Sequence, residues 1–198
     1  MTQLAPTSDL RGKVREAYSA AAHSPIAKHP FPVGRVFAES LGYPAALLDT
    51  LPSSAVEAFA GVSNVSLFAE IPEGATVLDL GCGAGLDSLI AAGRVGPSGK
   101  VIGIDFSDTM LGRARKAAQE AAIRNVSFEQ ADAERLPLSP ASIDVALVNG
   151  IFNLNPARES IFRELARVLQ PGVVYAAELI LAGTLPANLK QSDADWFA

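Results

Sequence analysis

The stretch Thr76-Val77-Leu78-Asp79-Leu80-Gly81-Cys82-Gly83-Ala84-Gly85-Leu86-Asp87 leaves this chain few folds to choose from. A β-branched and leucine run ends around an acid, and three glycines at alternate positions lead into a helix-forming run. A buried strand that breaks into a glycine loop and then a helix brings backbone N–H groups and an open helix N-terminus close to a ligand. The spacing narrows the ligand, because a dinucleotide fingerprint asks for G-x-G-x-x-G. Here the loop is G-x-G-x-G, with Leu86 following Gly85. Asp79 stands two residues before the first glycine. A carboxylate there repels a pyrophosphate and suits a cationic or hydrogen-bond-donating ligand.

From Glu73 onward short apolar runs alternate with helical patterns, the signature of a parallel sheet covered on both faces. Strands are predicted over 76–80, 100–105, 126–130, 143–148 and 173–181. Helices are predicted over 86–95, over 107–122 with Ser107 as N-cap, and after Asn155-Pro156 with Ile161, Phe162, Leu165, Val168 and Leu169 as the buried stripe. The earlier part reads differently. Residues 8–22 form an amphipathic helix on Leu10, Val14, Ala17, Tyr18 and Ala21, and the prolines at 25, 30, 32, 44 and 52 break the segment from His23 to Pro52 into short pieces. Ser53-Ser54 starts a further helix that runs past Phe59 to Ala60-Gly61. We therefore expect a helical cap over residues 1–72 and a doubly wound α/β domain over residues 73–198.

In such a sheet the ligand sits at the C-terminal ends of the strands. Asp105 closes the second strand, where a carboxylate accepts hydrogen bonds from ribose hydroxyls, and Phe106 follows it as cover for a purine face. Asp132-Ala133 follows the third strand, placed to accept from an adenine amino group. Asn149-Gly150 follows the fourth. Four strand ends with matching chemistry say more than the glycine loop alone.

Composition removes several other classes. With 16 basic and 21 acidic residues the net charge is −5 and no basic stripe stands out, which argues against a nucleic-acid partner. A single cysteine excludes an internal disulfide and a cysteine-rich zinc site. No signal-peptide pattern or membrane-length apolar run is present. A soluble, cytoplasmic protein without metal is the expectation.

At this point the sequence resembles the class I S-adenosylmethionine-dependent methyltransferases. Asp79-Leu80-Gly81-Cys82-Gly83-Ala84-Gly85 is similar to the family's first motif, Asp105 to the acid after it, and Asp132 to the acid after the third strand. The resemblance implies a Rossmann-like sheet of order 3-2-1-4-5 and S-adenosylmethionine as methyl donor, with S-adenosylhomocysteine as product. It places the glycine loop, Cys82 included, against the methionine part, Asp79 near its amino end and Asp105 on both ribose hydroxyls. Asp132 and the Ala133 N–H read the adenine, Phe106 and Met110 pack on it, and Asn149 lies near the reacting end.

A narrower resemblance, to the arsenite methyltransferase-like branch, rests on Ala60-Gly61-Val62-Ser63-Asn64, Gly85-Leu86-Asp87-Ser88, Ser142-Ile143-Asp144-Val145 and Asn149-Gly150-Ile151-Phe152-Asn153-Leu154. That branch places thiols around trivalent arsenic, at positions held here by Val62 and Gly150 and at a third beyond the fifth strand. The only thiol here is Cys82. The scaffold is shared and the acceptor stays open, a small molecule in either case. Family members also carry a sixth and seventh strand, for which about 17 residues after the fifth are too few, so missing residues or a homodimer is expected to cover the sheet edge. A hydroxyl acceptor requires a general base, for which His23, His29, Tyr18 and Glu178 are candidates. The alternative is a protein that binds S-adenosylmethionine without turnover; a nicotinamide oxidoreductase is a third.

Overall fold

The computed structural model describes residues 7–169 and 171–180. Leu181 and the tail after it lie outside the described residues, as do residues 1–6. α1 (Thr7–His23) is followed by four short helices, α2 (Arg35–Ser40), α3 (Ala45–Leu48), α4 (Ser53–Val56) and α5 (Val65–Phe68). The alternating part then runs β1 (Thr76–Leu80), α6 (Leu86–Val95), β2 (Lys100–Asp105), α7 (Asp108–Glu120), β3 (Val126–Gln130), β4 (Val145–Asn149), α8 (Arg158–Val168) and β5 (Val173–Ala177).

The five strands form one parallel sheet in the order β3-β2-β1-β4-β5. β1 lies at the centre, between β2 and β4, so the glycine loop at its end opens at the middle of the sheet. Period-two alternation separates the two cores. Leu78, Leu80, Ile104, Ala146 and Val148 pack under α8 through Ile161, Leu165 and Val168. Val77, Val101, Val145 and Leu147 face the other way, against α5 and the α6 residues Ala91, Ala92 and Val95. The short helices close on the domain through two further clusters: Tyr43, Leu48, Val56 and Phe59 against Leu86 and Ile90, and Ala21, Ala22, Phe31 and Ala58 against Ala84 and Met110.

Several boundaries depart from expectation for identifiable reasons. β4 begins at Val145 instead of Ile143, because Ser142 and Ile143 give their N–H groups to the Val168 carbonyl at the end of α8. The helix expected to run past Phe59 is one turn, Ser53–Val56, and Val65–Phe68 is a helical turn that carries no periodic pattern of its own. α7 stops at Glu120, and Ala122 adopts φ +52°. Asn155 does not cap α8 directly; its Oδ1 accepts from the Ala157 N–H at 2.8 Å, and the helix starts at Arg158. Phe162 leaves the predicted stripe. It is exposed and stacks on Phe152 at 4.7 Å.

Candidate functional site

Gly81, Gly83 and Gly85 all have positive φ, at +76°, +52° and +88°. Their surroundings differ. A Cβ on Gly81 would stand 2.3 Å from Ile151 Cγ2, and one on Gly85 would meet Ala114 at 3.0 Å and Phe128 at 3.1 Å. A Cβ on Gly83 would find nothing closer than Met110 Sδ at 4.0 Å. Two of the glycines answer to internal packing, whereas Gly83 turns an open backbone face to a cleft of about 1110 Å³, solvent at its mouth included.

Every residue expected from the sequence to hold the cofactor lines this cleft except Gly85, which is packed behind the loop by α7 and β3. Asp105 is held firmly at the end of β2: its Oδ2 accepts from the Gly83 N–H at 2.9 Å and its Oδ1 from the Ser107 N–H at 2.8 Å. Burial pushes this carboxyl above the usual range, and the backbone N–H groups of Ser107, Gly83 and Phe106 pull it back. Each oxygen keeps a lone pair for a further donor. Ser107 in turn caps α7, accepting from the Met110 N–H at 3.3 Å.

Asp79 is buried beneath the loop and accepts from the Ser88 hydroxyl at 2.5 Å. Burial, and next the nearby Asp87, push its carboxyl up to about 8. Cys82 is also buried, and its thiol is pushed well above its ordinary range by burial and by Asp79 and Asp105. It packs beside Gly103, whose Cβ would stand 3.0 Å from Cys82 Sγ.

Asp87 was not anticipated as part of the site. Its Oδ1 accepts from the hydroxyls of Tyr43, at 2.5 Å, and Ser66, and its Oδ2 from Asn149 Nδ2 at 2.9 Å. Asn149 Oδ1 accepts from the N–H groups of Val62 and Ser63 at 2.8 and 3.1 Å, and Nδ2 also donates to the Ser63 carbonyl at 2.7 Å. Both lone pairs and both protons of this amide are thus used within the protein, so Asn149 holds the 62–63 segment in place and has nothing left for a ligand. The only sequence sign of this network is an acid in the first turn of α6. Next to it, a Cβ on Gly150 would stand 2.9 Å from Val62 Cγ1, so the two positions for which the resemblance to the arsenite branch implies thiols face one another as bare backbone and an isopropyl group.

The outer wall of the cleft comes from α1, through Arg11, Val14, Arg15 and Tyr18. Arg11 pairs with Asp132 at 2.9 Å and with Glu134 at 3.3 Å, and the Arg15 guanidinium lies 5.6 Å from the centre of the Phe106 ring. Of the four candidate bases only Tyr18 lines the cleft. Burial, Asp105 and Glu178 all raise its phenol, which therefore keeps its proton. His29 lies 2.8 Å from the Ser24 carbonyl, His23 is exposed, and Glu178 accepts from the Asn153 and Leu179 N–H groups.

A parallel sheet with this strand order, a glycine loop after the central strand and acids past the next two strands define a Rossmann-like class of cofactor-binding domain. Comparison with known proteins places the chain within that class. A methyltransferase domain family model matches residues 71–197, and the chain belongs to that family. It is 38% identical over 158 residues to an arsenite methyltransferase of Halobacterium salinarum, covering 79% of this chain and 40% of that protein. It is 40% identical over 99 residues to a demethylmenaquinone methyltransferase of Lactococcus lactis, covering 50% of this chain and 39% of the relative. The chain thus spans about two fifths of the length of these two relatives. A crystal structure of an arsenic(III) S-adenosylmethionine methyltransferase from Chlamydomonas reinhardtii superposes with a TM-score of 0.56 at 28% identity, covering 74% of this chain and 49% of that one. S-adenosylmethionine is the cofactor of this class of methyltransferase.

Proposed function

We propose that the chain transfers a methyl group from S-adenosylmethionine to a small-molecule acceptor, with the 1–72 cap closing the cleft over the 73–198 domain. The observation that carries this is Asp105. Its carboxylate is locked to the backbone of the glycine loop, so the groups that would hold ribose and methionine form one rigid unit facing open space at Gly83. That donor set fits the cofactor: a carboxylate with spare lone pairs for two hydroxyls, a buried acid for an ammonium, and exposed loop backbone for a carboxylate. Asp132 and the Ala133 N–H would read the adenine edge, with Phe106 and Met110 on its faces.

When bound, the cofactor supplies an electrophilic sulfonium methyl for in-line displacement. What the chain adds is orientation and exclusion of water, and positioning of this kind contributes about 7–11 kcal/mol. Tyr18 keeps its proton, and among the described residues no side chain in the cleft is set up as an obligatory base. An acceptor that is polarizable or already deprotonated needs none.

Relatives named for arsenite and for demethylmenaquinone bracket the acceptor class. The single, buried thiol and the Val62–Gly150 contact favour an acceptor held without thiolates. Calorimetric titration with S-adenosylmethionine and S-adenosylhomocysteine tests the reading. Binding of both, no response to NAD, and at least tenfold weaker binding by Asp105→Ala are expected; no binding would sink it. Turnover against a panel of small acceptors, arsenite included, separates an enzyme from a binding protein.

A further inference from the structure

Arg11 and Glu134 are 123 positions apart and meet across the mouth of the cleft. The contact is one link in a chain of polar groups. Asn155 Nδ2 donates to Glu134 Oε1 at 2.9 Å, Arg11 Nη2 bonds the other Glu134 oxygen, and the same nitrogen lies 2.9 Å from Asp132 Oδ1. Asp132 is half exposed and Glu134 only 14% exposed. A half-exposed loop carboxylate rotates freely unless something fixes it, and Arg11 at 2.9 Å, with Arg15 farther off at 3.9 Å from the same Oδ1, fixes this one beside an acid that is itself anchored. Among the described residues only Asp132 Oδ1 is engaged, which leaves the second oxygen as an acceptor.

We propose that Arg11 is a positioning residue of the adenine subsite: it orients the Asp132 carboxylate so that its free oxygen accepts from the adenine amino group. The inference rests on the cofactor reading above and makes α1 a working part of adenine recognition. Arg15 completes the wall. At 5.6 Å from the Phe106 ring centre it stands too near for a purine to lie between them, since two van der Waals layers of about 3.5 Å each are required. A base on that face of Phe106 therefore displaces the Arg15 side chain, which the N-terminal half of α1 carries, while Arg11 keeps its hold on Asp132. That half contains Gly12, a mid-helix glycine whose Cβ position is empty within 4 Å. The other half is pinned by the Ser19–Ser107 hydroxyl pair at 3.0 Å and by Arg113 on the Ala22 carbonyl.

The test compares S-adenosylhomocysteine with its deaminated analogue, in which hypoxanthine replaces adenine, by calorimetry. Arg11→Gln is expected to weaken S-adenosylhomocysteine binding about 3- to 10-fold and to reduce the preference over the analogue by a similar factor, with Arg11→Lys recovering part of both. In an Asp132→Asn background Arg11→Gln has no further effect on the preference. Arg35→Gln, which removes an exposed ion pair to Asp49 away from the cleft, changes nothing. Equal losses for both ligands, or full additivity with Asp132→Asn, overturn the inference while leaving the cofactor reading intact. Failure of the unaltered chain to bind S-adenosylhomocysteine overturns both.

Discussion

The Asn149 amide donates to Asp87 Oδ2 at 2.9 Å and so ties the last residue of β4 to the first turn of α6. Through its other bonds it also grips Val62 and Ser63, while Asp87 grips Tyr43 and Ser66. Asn149→Ala removes the acceptor of two backbone N–H groups and one donor to a buried carboxylate. A loss of about 2–4 kcal/mol in unfolding free energy is expected from urea titration. A change below about 0.5 kcal/mol would mean that the network contributes little.

Gly81 and Gly83 separate stability from binding. An alanine at either position adopts a left-handed conformation at a cost of about 1–2 kcal/mol. At Gly81 the added methyl also runs into Ile151, for about 1–3 kcal/mol more, and the fold suffers. At Gly83 the methyl has room but projects into the cleft, so Gly83→Ala is expected to unfold later than Gly81→Ala and yet bind S-adenosylhomocysteine at least about tenfold more weakly than the unaltered chain. Thermal unfolding read beside calorimetry checks both halves.

Asp79 makes stability depend on pH. An ordinary carboxyl titrates near 4. With the folded-state value raised to about 8, the folded chain holds a proton between those limits that the unfolded chain has lost, and stability falls as pH rises through the window. Above it both states are ionised and the penalty is level. Asp79→Asn lacks this dependence, so from pH 5 to pH 8 the variant gains on the unaltered chain by on the order of 1 kcal/mol per pH unit. Urea midpoints for the two chains across that range provide the measurement. A difference that stays constant would show that Asp79 ionises normally.

The Val62–Gly150 contact predicts a coupled pair. Gly150 has φ +79°, and its Cβ would stand 2.9 Å from Val62 Cγ1. Gly150→Ala is expected to cost about 2–4 kcal/mol from conformation and overpacking together. Val62→Ala, which removes the obstructing methyls, recovers part of it, with a coupling of about 0.5–3 kcal/mol in a double-mutant cycle of unfolding free energies. Simple additivity would place the two side chains apart.

The strands 76–80, 100–105 and 126–130 and the helix 86–95 are readable to the residue, because turn signals bound each run and the central strands β1 and β2 are buried on both faces, while the edge strand β3 is only partly covered. The short cap helices are not. Their one-turn lengths generate no periodicity, and burial against α6 and α7 supplies the stability that propensity does not. Phe162 has the spacing of a core residue, but the place it would fill is already taken by Ile161 and Leu165 against the sheet.

The sequence alone determined the strand-loop-helix at Thr76–Asp87 and the acids past the second and third strands, since these depend on local periodicity, glycine conformation and a topology that places strand ends together. Only the tertiary structure decided that Arg11 reaches Asp132, that Arg15 covers Phe106, that Asn149 is spent on Asp87 and the 62–63 loop, and that Gly85 is packed away from the cleft. Each of these joins side chains far apart in the chain, and nothing in residue spacing encodes which distant polar group will satisfy another once water is excluded.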